Sequence, residues 1–145
     1  MRYLITSCLI LAADRLSKYL VMHTMVEGES IPILAPVFYL TYVRNSGAAF
    51  GLLKGGAPLL AGLALLGVVL AAWQWKRIMA QGWRVRWGTA AALSGALGNM
   101  IDRLVYGSVV DFFDIRIWPI FNVADLAISC GVVLLFWEVL AHDRR

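Results

Sequence analysis

The chain has 145 residues, of which 61% are hydrophobic and only 15% are charged, with a formal net charge of +4. Soluble domains carry about 25% charged residues, so this composition excludes an ordinary soluble domain and predicts a membrane protein of one domain. The sequence contains no zinc-type ligand spacing, no P-loop and no basic stretch interleaved with aromatic residues. We therefore predict no metal, no cofactor and no nucleic-acid partner.

Four apolar segments predict four transmembrane helices, since about twenty residues cross the hydrocarbon core. They cover residues 3–22, 57–75, 87–106 and 121–140, with outer loops at 23–56 and 107–118. The first segment also fits a cleaved signal peptide, although no clear A-x-A cleavage site follows it. Cys8 and Cys130 lie inside apolar runs, so we predict that both are small buried apolar residues.

Two stretches in the outer loops predict short strands. Residues 37–43 are rich in β-branched and aromatic side chains, and residues 112–118 partly alternate between polar and apolar ones. We expect the two to pair into a small sheet above the helices. The predicted fold is thus an all-α membrane protein, residues 1–145 forming a single domain of four transmembrane helices with a small β-rich extracytoplasmic subdomain.

The basic residues predict the orientation of the helices. Seven of the thirteen fall on one side of the predicted membrane, which the positive-inside rule makes cytoplasmic: Arg2, Lys76, Arg77, Arg84, Arg86, Arg144 and Arg145. Both termini are then inside, and the two long loops are outside.

This topology brings polar residues from four elements to the outer boundary of the membrane. Asp14 and Lys18 are four residues apart and share a helical face. In the third predicted helix, Asn99, Asp102 and Arg103 lie together on one face. Thirteen residues interrupted by Pro119 separate Asp111 from Asp125, so the chain can fold these two acids back towards each other.

Each polar group also has a purely structural explanation. Asp14 and Lys18 can form an internal ion pair, the segment 45–47 has the composition of a turn, and Asn122 with Asp125 fits a capping box. However, capping alone does not explain why four elements present polar residues at one depth.

Two carboxylates without metal ligands indicate acid–base chemistry on a water molecule. Close carboxylates share a proton, so one accepts a proton from water while the other donates to a carbonyl oxygen or a leaving amine. Which of Asp111 and Asp125 is the acid stays open, because a coupled pair titrates as a unit. Two rivals remain: a small transport protein, which would need polar residues along the full depth of the helices, and a non-catalytic chaperone or anchor, which would need no pair of acids.

Five motifs in order resemble those of bacterial lipoprotein signal peptidase, also called type II signal peptidase. They are Asp14-x-x-x-Lys18, Val43-Arg44-Asn45-x-Gly47-Ala48-Ala49-Phe50, Gly98-Asn99-x-x-Asp102-Arg103, Val110-Asp111-Phe112 and Phe121-Asn122-x-Ala124-Asp125. The resemblance implies a four-helix aspartyl endopeptidase of the bacterial inner membrane. Its substrates would be prolipoproteins whose cysteine carries diacylglycerol, cut on the amino side of that cysteine.

The resemblance also implies a role for each residue. Asp111 and Asp125 would form the catalytic dyad. The residues that line the site and position the substrate would be Asn45, Gly47, Asn99, Arg103 and Asn122, and the supporting residues would be Asp14, Lys18 and Asp102. Inhibition by globomycin-like cyclic peptides is implied in the same way. We further expect contact with membrane lipid and a monomer.

Overall fold

The computed structural model describes residues 1–47, 53 and 55–142. Within these ranges the chain is mostly helical with one small sheet, in the order α1 (Arg2–Thr24), β1 (Ser30–Leu34), β2 (Phe38–Asn45), α2 (Ala57–Trp73), α3 (Trp75–Ala80), α4 (Trp83–Tyr106), β3 (Val109–Asp114) and α5 (Val123–His142). Parts of two predictions lie outside the described residues, namely the motif residues Ala48, Ala49 and Phe50 and the basic residues Arg144 and Arg145.

The four long helices coincide with the four predicted segments, with shifts of a few residues at their ends. The first turn of α4 begins at Trp83, four residues before the predicted start, because Arg84 is stabilised there by an ion pair with Glu138 of α5 at 3.0 Å. The short helix α3 lies where a loop was expected. Its sequence contains lysine, arginine, methionine and alanine, which are good helix formers.

The sheet has the strand order β1-β2-β3, with both pairs antiparallel. β2 confirms the strand predicted at 37–43, and it pairs with β3 as expected. The predicted extent of the second strand was wrong, because β3 ends at Asp114 instead of continuing to residue 118. The carboxylate of Asp114 accepts the backbone N–H of Arg116 at 2.9 Å, and Arg116 has a φ of 66°, so the chain turns here.

β1 was not predicted, and its position explains why. All five of its residues are exposed, so the strand shows no alternation of burial. It also contains Pro32, which edge strands tolerate because one of their sides needs no ladder hydrogen bonds.

A small core joins the sheet to the end of α1. It consists of Val21, Met25, Tyr42, Val110 and Phe112, all less than 9% exposed. Burial of these side chains holds β3 against the helices, so Asp111, which lies between Val110 and Phe112, has a fixed position relative to α1.

α4 ends in a turn that directs the chain into β3. Gly107 has a φ of 71°, a left-handed conformation that glycine adopts without steric penalty, and its N–H donates to the Arg103 carbonyl at 3.1 Å. The turn brings β3 back alongside the last turns of α4, where Asn99, Asp102 and Arg103 lie.

α4 and α5 pack closely because glycines lie at their contact. A Cβ atom added to Gly88 would lie 2.9 Å from the carbonyl oxygen of Gly131. A Cβ atom on Gly95 would overlap the carbonyl oxygen of Ala124 and lie 2.8 Å from Ile128 Cγ1. Small residues at helix contacts allow such an approach in membranes. This approach sets the distance between Asn99 on α4 and Asp125 on α5.

We expect Gly95→Ala to destabilise the protein by about 1–3 kcal/mol, because the new methyl group overpacks the contact with α5. Gly62→Ala in α2 is the matched control, since an added Cβ there meets no atom within 4 Å. The control should be neutral or stabilising by up to about 1 kcal/mol, because alanine favours a helix more than glycine does. Thermal unfolding in detergent measures both. Equal midpoints for the two variants would contradict the packing argument.

The prediction that Cys8 and Cys130 are buried was wrong, because both are exposed on helix surfaces. The outer faces of these helices are apolar as well, with Leu9, Leu63 and Val133 more than half exposed. An apolar run in this chain therefore marks an outward-facing helix surface as readily as a core. Of the described helices, one is both long and apolar enough to cross a membrane, at Val123–Ala141, and the apolar part of α2 has 17 residues.

Candidate active site

The two aspartates of the predicted dyad lie on either side of the segment that connects β3 to α5. Phe113 and Phe121 exchange backbone hydrogen bonds at 2.8 and 3.1 Å, so the segment containing Pro119 closes into a short loop. The chain therefore returns to β3 just before α5 begins. As expected, Asp111 and Asp125 are folded back towards each other.

Asp111 is almost completely buried, with 2% of its surface exposed. Its two carboxylate oxygens accept hydrogen bonds from different side chains. Asn45 Nδ2 donates to Oδ2 at 3.1 Å, and Asn122 Nδ2 donates to Oδ1 at 2.7 Å. Both asparagines were predicted to position the substrate, and in this structure they orient the first aspartate.

Asp125 is held by hydrogen bonds from two further groups. Asn99 Nδ2 donates to Oδ1 at 2.8 Å, and the backbone N–H of Asn122 donates to Oδ2 at 3.2 Å. The side-chain oxygen of Asn122 in turn accepts the backbone N–H of Asp125 at 2.9 Å. This reciprocal pair confirms the predicted capping box. The same pair also sets the direction of the second carboxylate, so the capping role and a role in the site coexist.

Asn122 connects the two aspartates. It is fully buried, its amide nitrogen contacts Asp111, and its backbone and side-chain oxygen contact Asp125. The same amide nitrogen lies 3.1 Å from Asn99 Oδ1 and 3.2 Å from the Val110 carbonyl oxygen. One rigid side chain therefore sets the relative position of both acids.

A buried charge cluster lies behind the asparagines. Lys18 Nζ lies 3.0 Å from Asp14 and 2.8 Å from Asp102, and it donates to Asn99 Oδ1 at 2.9 Å. The Lys18, Asp14 and Asp102 side chains are completely buried. The predicted ion pair between Asp14 and Lys18 is thus confirmed. Because Lys18 occupies the oxygen of Asn99, the amide nitrogen of Asn99 is turned towards Asp125.

Arg15 completes this cluster and was missed by the sequence analysis. Its guanidinium contacts Asp102 at 2.5 Å and Asp14 at 3.4 Å. Two cations therefore balance two carboxylates. The signal was present, since Arg15 lies directly after Asp14 in an otherwise apolar segment, but its spacing to the other charges does not reveal which face it takes.

Each acid of the cluster also holds the backbone next to a dyad aspartate. Asp14 Oδ1 accepts the N–H of Ala124 at 3.0 Å, and Asp102 Oδ2 accepts the N–H of Val110 at 3.3 Å. Ala124 precedes Asp125, and Val110 precedes Asp111. The predicted supporting residues therefore contact the peptide units that present the two carboxylates.

Arg103 contacts backbone carbonyl groups. Its terminal nitrogens donate to Gly47 O at 3.1 Å and to Asn99 O at 3.4 Å, while its buried Nε has no hydrogen-bond partner among the residues described. Gly47 N–H donates to Asn45 Oδ1 at 3.0 Å. Arg103 thus stabilises the turn after β2, and through that turn it holds Asn45 against Asp111.

These residues surround a cavity of about 220 Å³. Its polar wall contains Asn45, Gly47, Asn99, Arg103, Asp111 and Asp125. Its other wall was not predicted to line the site and consists of Val109, Trp118, Pro119, Ile120, Phe121, Ile128 and Ser129. Of these, Ser129 was detectable, because it follows Asp125 by one helical turn. The described residues contain no group of three His, Cys, Asp or Glu side chains that could hold a metal ion.

Burial, and after it the neighbouring charge of Asp125, raises the pKa of Asp111 to about 7. Hydrogen bonds from Asn45 and Asn122 and the charge of Lys18 oppose this shift. At neutral pH the pair is therefore close to the point at which Asp111 gains or loses a proton. A carboxyl group in that state can both donate and accept protons.

The sequence profile of the family described as signal peptidase (SPase) II matches residues 6–141. The chain belongs to the signal peptidase II family. Membership makes it a signal peptidase and therefore a protease. Similar proteins include the lipoprotein signal peptidases of Moorella thermoacetica, 44% identical over 97% of this chain and 93% of the relative, and of Clostridioides difficile, 42% identical over 100% of this chain and 99% of the relative.

Two solved structures, both described as bacterial membrane enzyme structures determined by the in meso method, have the same fold as this signal peptidase II chain. The first has a TM-score of 0.90 with 30% identity, covering 97% of this chain and 88% of the other. The second has a TM-score of 0.86 with 30% identity, covering 96% and 92%. The arrangement of helices and sheet is therefore shared along nearly the whole chain.

The pKa of Asp111 predicts how the stability of this signal peptidase II chain depends on pH. A carboxyl group with a raised pKa binds more protons when folded than when unfolded, so the free energy of unfolding falls as the pH rises from about 4 to about 7. Asp111→Asn removes this group and should flatten the dependence. Thermal unfolding of both proteins at pH 5 and pH 8 measures it. An equal pH-induced shift in the two proteins would contradict the raised pKa.

Proposed function

We propose that the chain is an aspartyl endopeptidase that removes the signal peptide from diacylglyceryl-modified prolipoproteins, cutting on the amino side of the lipidated cysteine. Its family supports the removal of signal peptides from prolipoproteins. The observation that carries the aspartyl mechanism is the linkage of both carboxylates through Asn122 in the wall of one cavity.

In this mechanism Asp111 and Asp125 share one proton. The ionised carboxylate accepts a proton from a water molecule, whose oxygen attacks the carbonyl carbon of the scissile peptide. The protonated carboxyl group hydrogen-bonds to the carbonyl oxygen as negative charge develops there. When the C–N bond breaks, a proton passes to the leaving nitrogen, and the carboxylates return to sharing one proton. The products are a free signal-peptide carboxylate and a free amine on the lipidated cysteine.

The asparagines keep the carboxylates in place during these steps. Each dyad aspartate accepts two hydrogen bonds, and all four donors are uncharged N–H groups of Asn45, Asn99 and Asn122. Neutral donors orient a carboxylate without supplying the full positive charge that would keep both acids ionised. The cation Lys18 instead lies behind Asn99, in contact with Asp14 and Asp102.

We propose four membrane crossings, formed by α1, α2, α4 and α5. At about 1.5 Å per residue, helices of 23, 17, 24 and 20 residues are about 35, 26, 36 and 30 Å long, which suits a hydrocarbon core of about 30 Å. The charges that lower the hydropathy of α1 and α4 include Asp14, Lys18 and Asp102, which are buried inside the bundle. Burial in an ion-paired cluster is the usual state of such charges within a membrane.

We propose that the site faces the outer side of the bacterial cytoplasmic membrane and that both termini are cytoplasmic. The described basic residues Arg2, Lys76, Arg77, Arg84 and Arg86 lie at the end of the bundle remote from Asp111, in agreement with the positive-inside rule. The three-stranded sheet then lies outside the membrane. We also propose that residues 1–145 form a single domain and that this domain acts as a monomer. Globomycin-like cyclic peptides would inhibit it.

The test is cleavage of a diacylglyceryl-modified prolipoprotein by the purified protein in detergent. Mass spectrometry should detect the free signal peptide and a product that begins with the lipidated cysteine. The same precursor with unmodified cysteine is the control and should be cut much more slowly. Equal cleavage of both precursors would show that the lipid on the cysteine is not required. Cleavage at another bond would overturn the proposed specificity.

A further inference from the structure

A second, narrow groove lies at the opposite end of the bundle from the aspartates. It is lined by Tyr3, Leu4 and Ser7 of α1, Trp75 and Met79 of α3, and Arg86, Thr89, Ala90 and Leu93 of α4, and has a volume of about 70 Å³. The ring of Tyr3 packs edge-on against Trp87 at 4.7 Å, and Ser7 Oγ donates to Ala90 O at 3.4 Å. These contacts join α1 to α4, so the groove has a preformed wall.

The chemistry of the groove changes along its length. The α4 residues that line it follow one helical face from Arg86 to Leu93, a distance of about 10 Å. Its mouth has a guanidinium group, then the aromatic rings of Tyr3 and Trp75, and its deeper part is formed by Leu4, Ala90 and Leu93. A cation, then aromatic rings, then an aliphatic surface suit, in that order, the phosphate, the interfacial region and the acyl chain of a phospholipid.

Within the part of the chain that the structure describes, the charge at the mouth has no acidic partner. Arg86 Nε donates to Gln81 O at 2.7 Å, and its two terminal amino groups have no hydrogen-bond partner among the residues described. Among those residues, the single carboxylate at this end is Glu138, which pairs with Arg84 at 3.0 Å. The remaining cations there are Arg2, Lys76, Arg77 and Arg86, so the mouth favours an anionic ligand.

We propose that this groove binds one anionic phospholipid, with the phosphate at Arg86 and part of one acyl chain along Tyr3, Ala90 and Leu93. The binding site is separate from the aspartates, since sixteen residues of α4, or about 24 Å, separate Arg86 from Asp102. This proposal does not depend on the peptidase activity, and the experiment that tests it measures only lipid binding.

Native mass spectrometry of the purified protein in detergent tests the site, with phosphatidylglycerol and phosphatidylcholine of the same acyl chains as probes. Phosphatidylglycerol should bind more tightly, and Arg86→Gln should weaken it about fivefold, as expected for one cation near a phosphate. Arg77→Gln is the matched control. It removes the same charge from the same end, but at about 100° per residue it lies on the far side of α3 from Trp75 and Met79.

The control should change the affinity for phosphatidylglycerol by less than about twofold. An equal loss in Arg77→Gln and Arg86→Gln would show diffuse attraction and overturn the site, and so would equal binding of both lipids. Thr89→Phe fills the groove and keeps Arg86, so it should also weaken binding. It decides the question if Arg86→Gln fails to fold, and unchanged binding in Thr89→Phe would overturn the acyl-chain contact. Displacement of the lipid by soluble glycerol phosphate at a concentration similar to that of the lipid would also overturn the acyl-chain contact.

Discussion

Asp111→Asn and Asp125→Asn should each lower the rate of prolipoprotein cleavage by at least about 10²–10⁴-fold, the usual contribution of a general acid or base. Each variant removes one of the two groups between which a proton passes, while an asparagine of nearly the same shape keeps the backbone in place. The double variant should be no slower than the slower single variant, because residues that act as a unit do not contribute additively. Single-turnover cleavage of the diacylglyceryl-modified precursor measures all three.

Asp114→Asn is the matched control for these variants. Asp114 lies on β3 with Asp111, three residues further along, but it contacts Thr41 and Arg116 instead of the asparagines. Its variant should therefore retain cleavage to within a few-fold. Full activity in Asp111→Asn or Asp125→Asn, with the protein folded, would eliminate the dyad. An equal loss in Asp114→Asn would show that the assay reports disturbance of β3 and not the chemistry.

Lys18→Met should destabilise the protein by about 3–5 kcal/mol, the usual effect of removing one partner from a buried ion pair. Lys18 contacts two completely buried carboxylates, and without it Asp14 and Asp102 share the single cation Arg15. The variant also frees Asn99 Oδ1, so the amide that donates to Asp125 loses its orientation. Thermal unfolding in detergent measures the stability, and the cleavage assay measures the second effect.

Two further variants separate charge balance from other causes. Lys76→Met makes the same substitution at an exposed lysine of α3 and should change stability by less than about 0.5 kcal/mol. Adding Asp14→Asn to Lys18→Met restores one carboxylate for one cation in the cluster, so it should recover part of the lost stability. A Lys18→Met protein as stable as the parent would mean that the cluster is not a stabilising element. A double variant that recovers nothing would mean that shape, and not charge, determines the loss.

Local spacing in the sequence was enough to predict the four long helices and the central strand. The four apolar segments have the length of membrane helices, so α1, α2, α4 and α5 were found to within a few residues. The strand at 37–43 was detectable because β-branched and aromatic side chains dominate it. β1 escaped because its residues are all exposed, and α3 escaped because a basic stretch of six residues is too short to show a period.

Local spacing also predicted part of the site. Lys18 follows Asp14 by four positions, which places both on one helical face, and Asp125 follows Asn122 by three positions, which is the spacing of a capping box. The break at Pro119 predicted that Asp111 and Asp125 can fold back towards each other, and the resemblance to signal peptidase II added their assignment as the catalytic dyad. Their catalytic role remains a prediction for the variants above to test.

The sequence by itself determined which polar residues share a face of one helix, because helical spacing is a local property of the chain. The tertiary structure decided which of them touch. Asn99 forms hydrogen bonds with Lys18 and Asp125. Arg15 donates a hydrogen bond to Asp102, and Arg103 donates one to the Gly47 carbonyl. The partners are 26 to 87 residues apart in the sequence. Such pairings depend on how far each helix is rotated and how closely it approaches its neighbour. Where α4 contacts α5, glycines such as Gly95 set how closely the two helices approach. The periodicity of polar and apolar side chains in the sequence does not show which glycines do this.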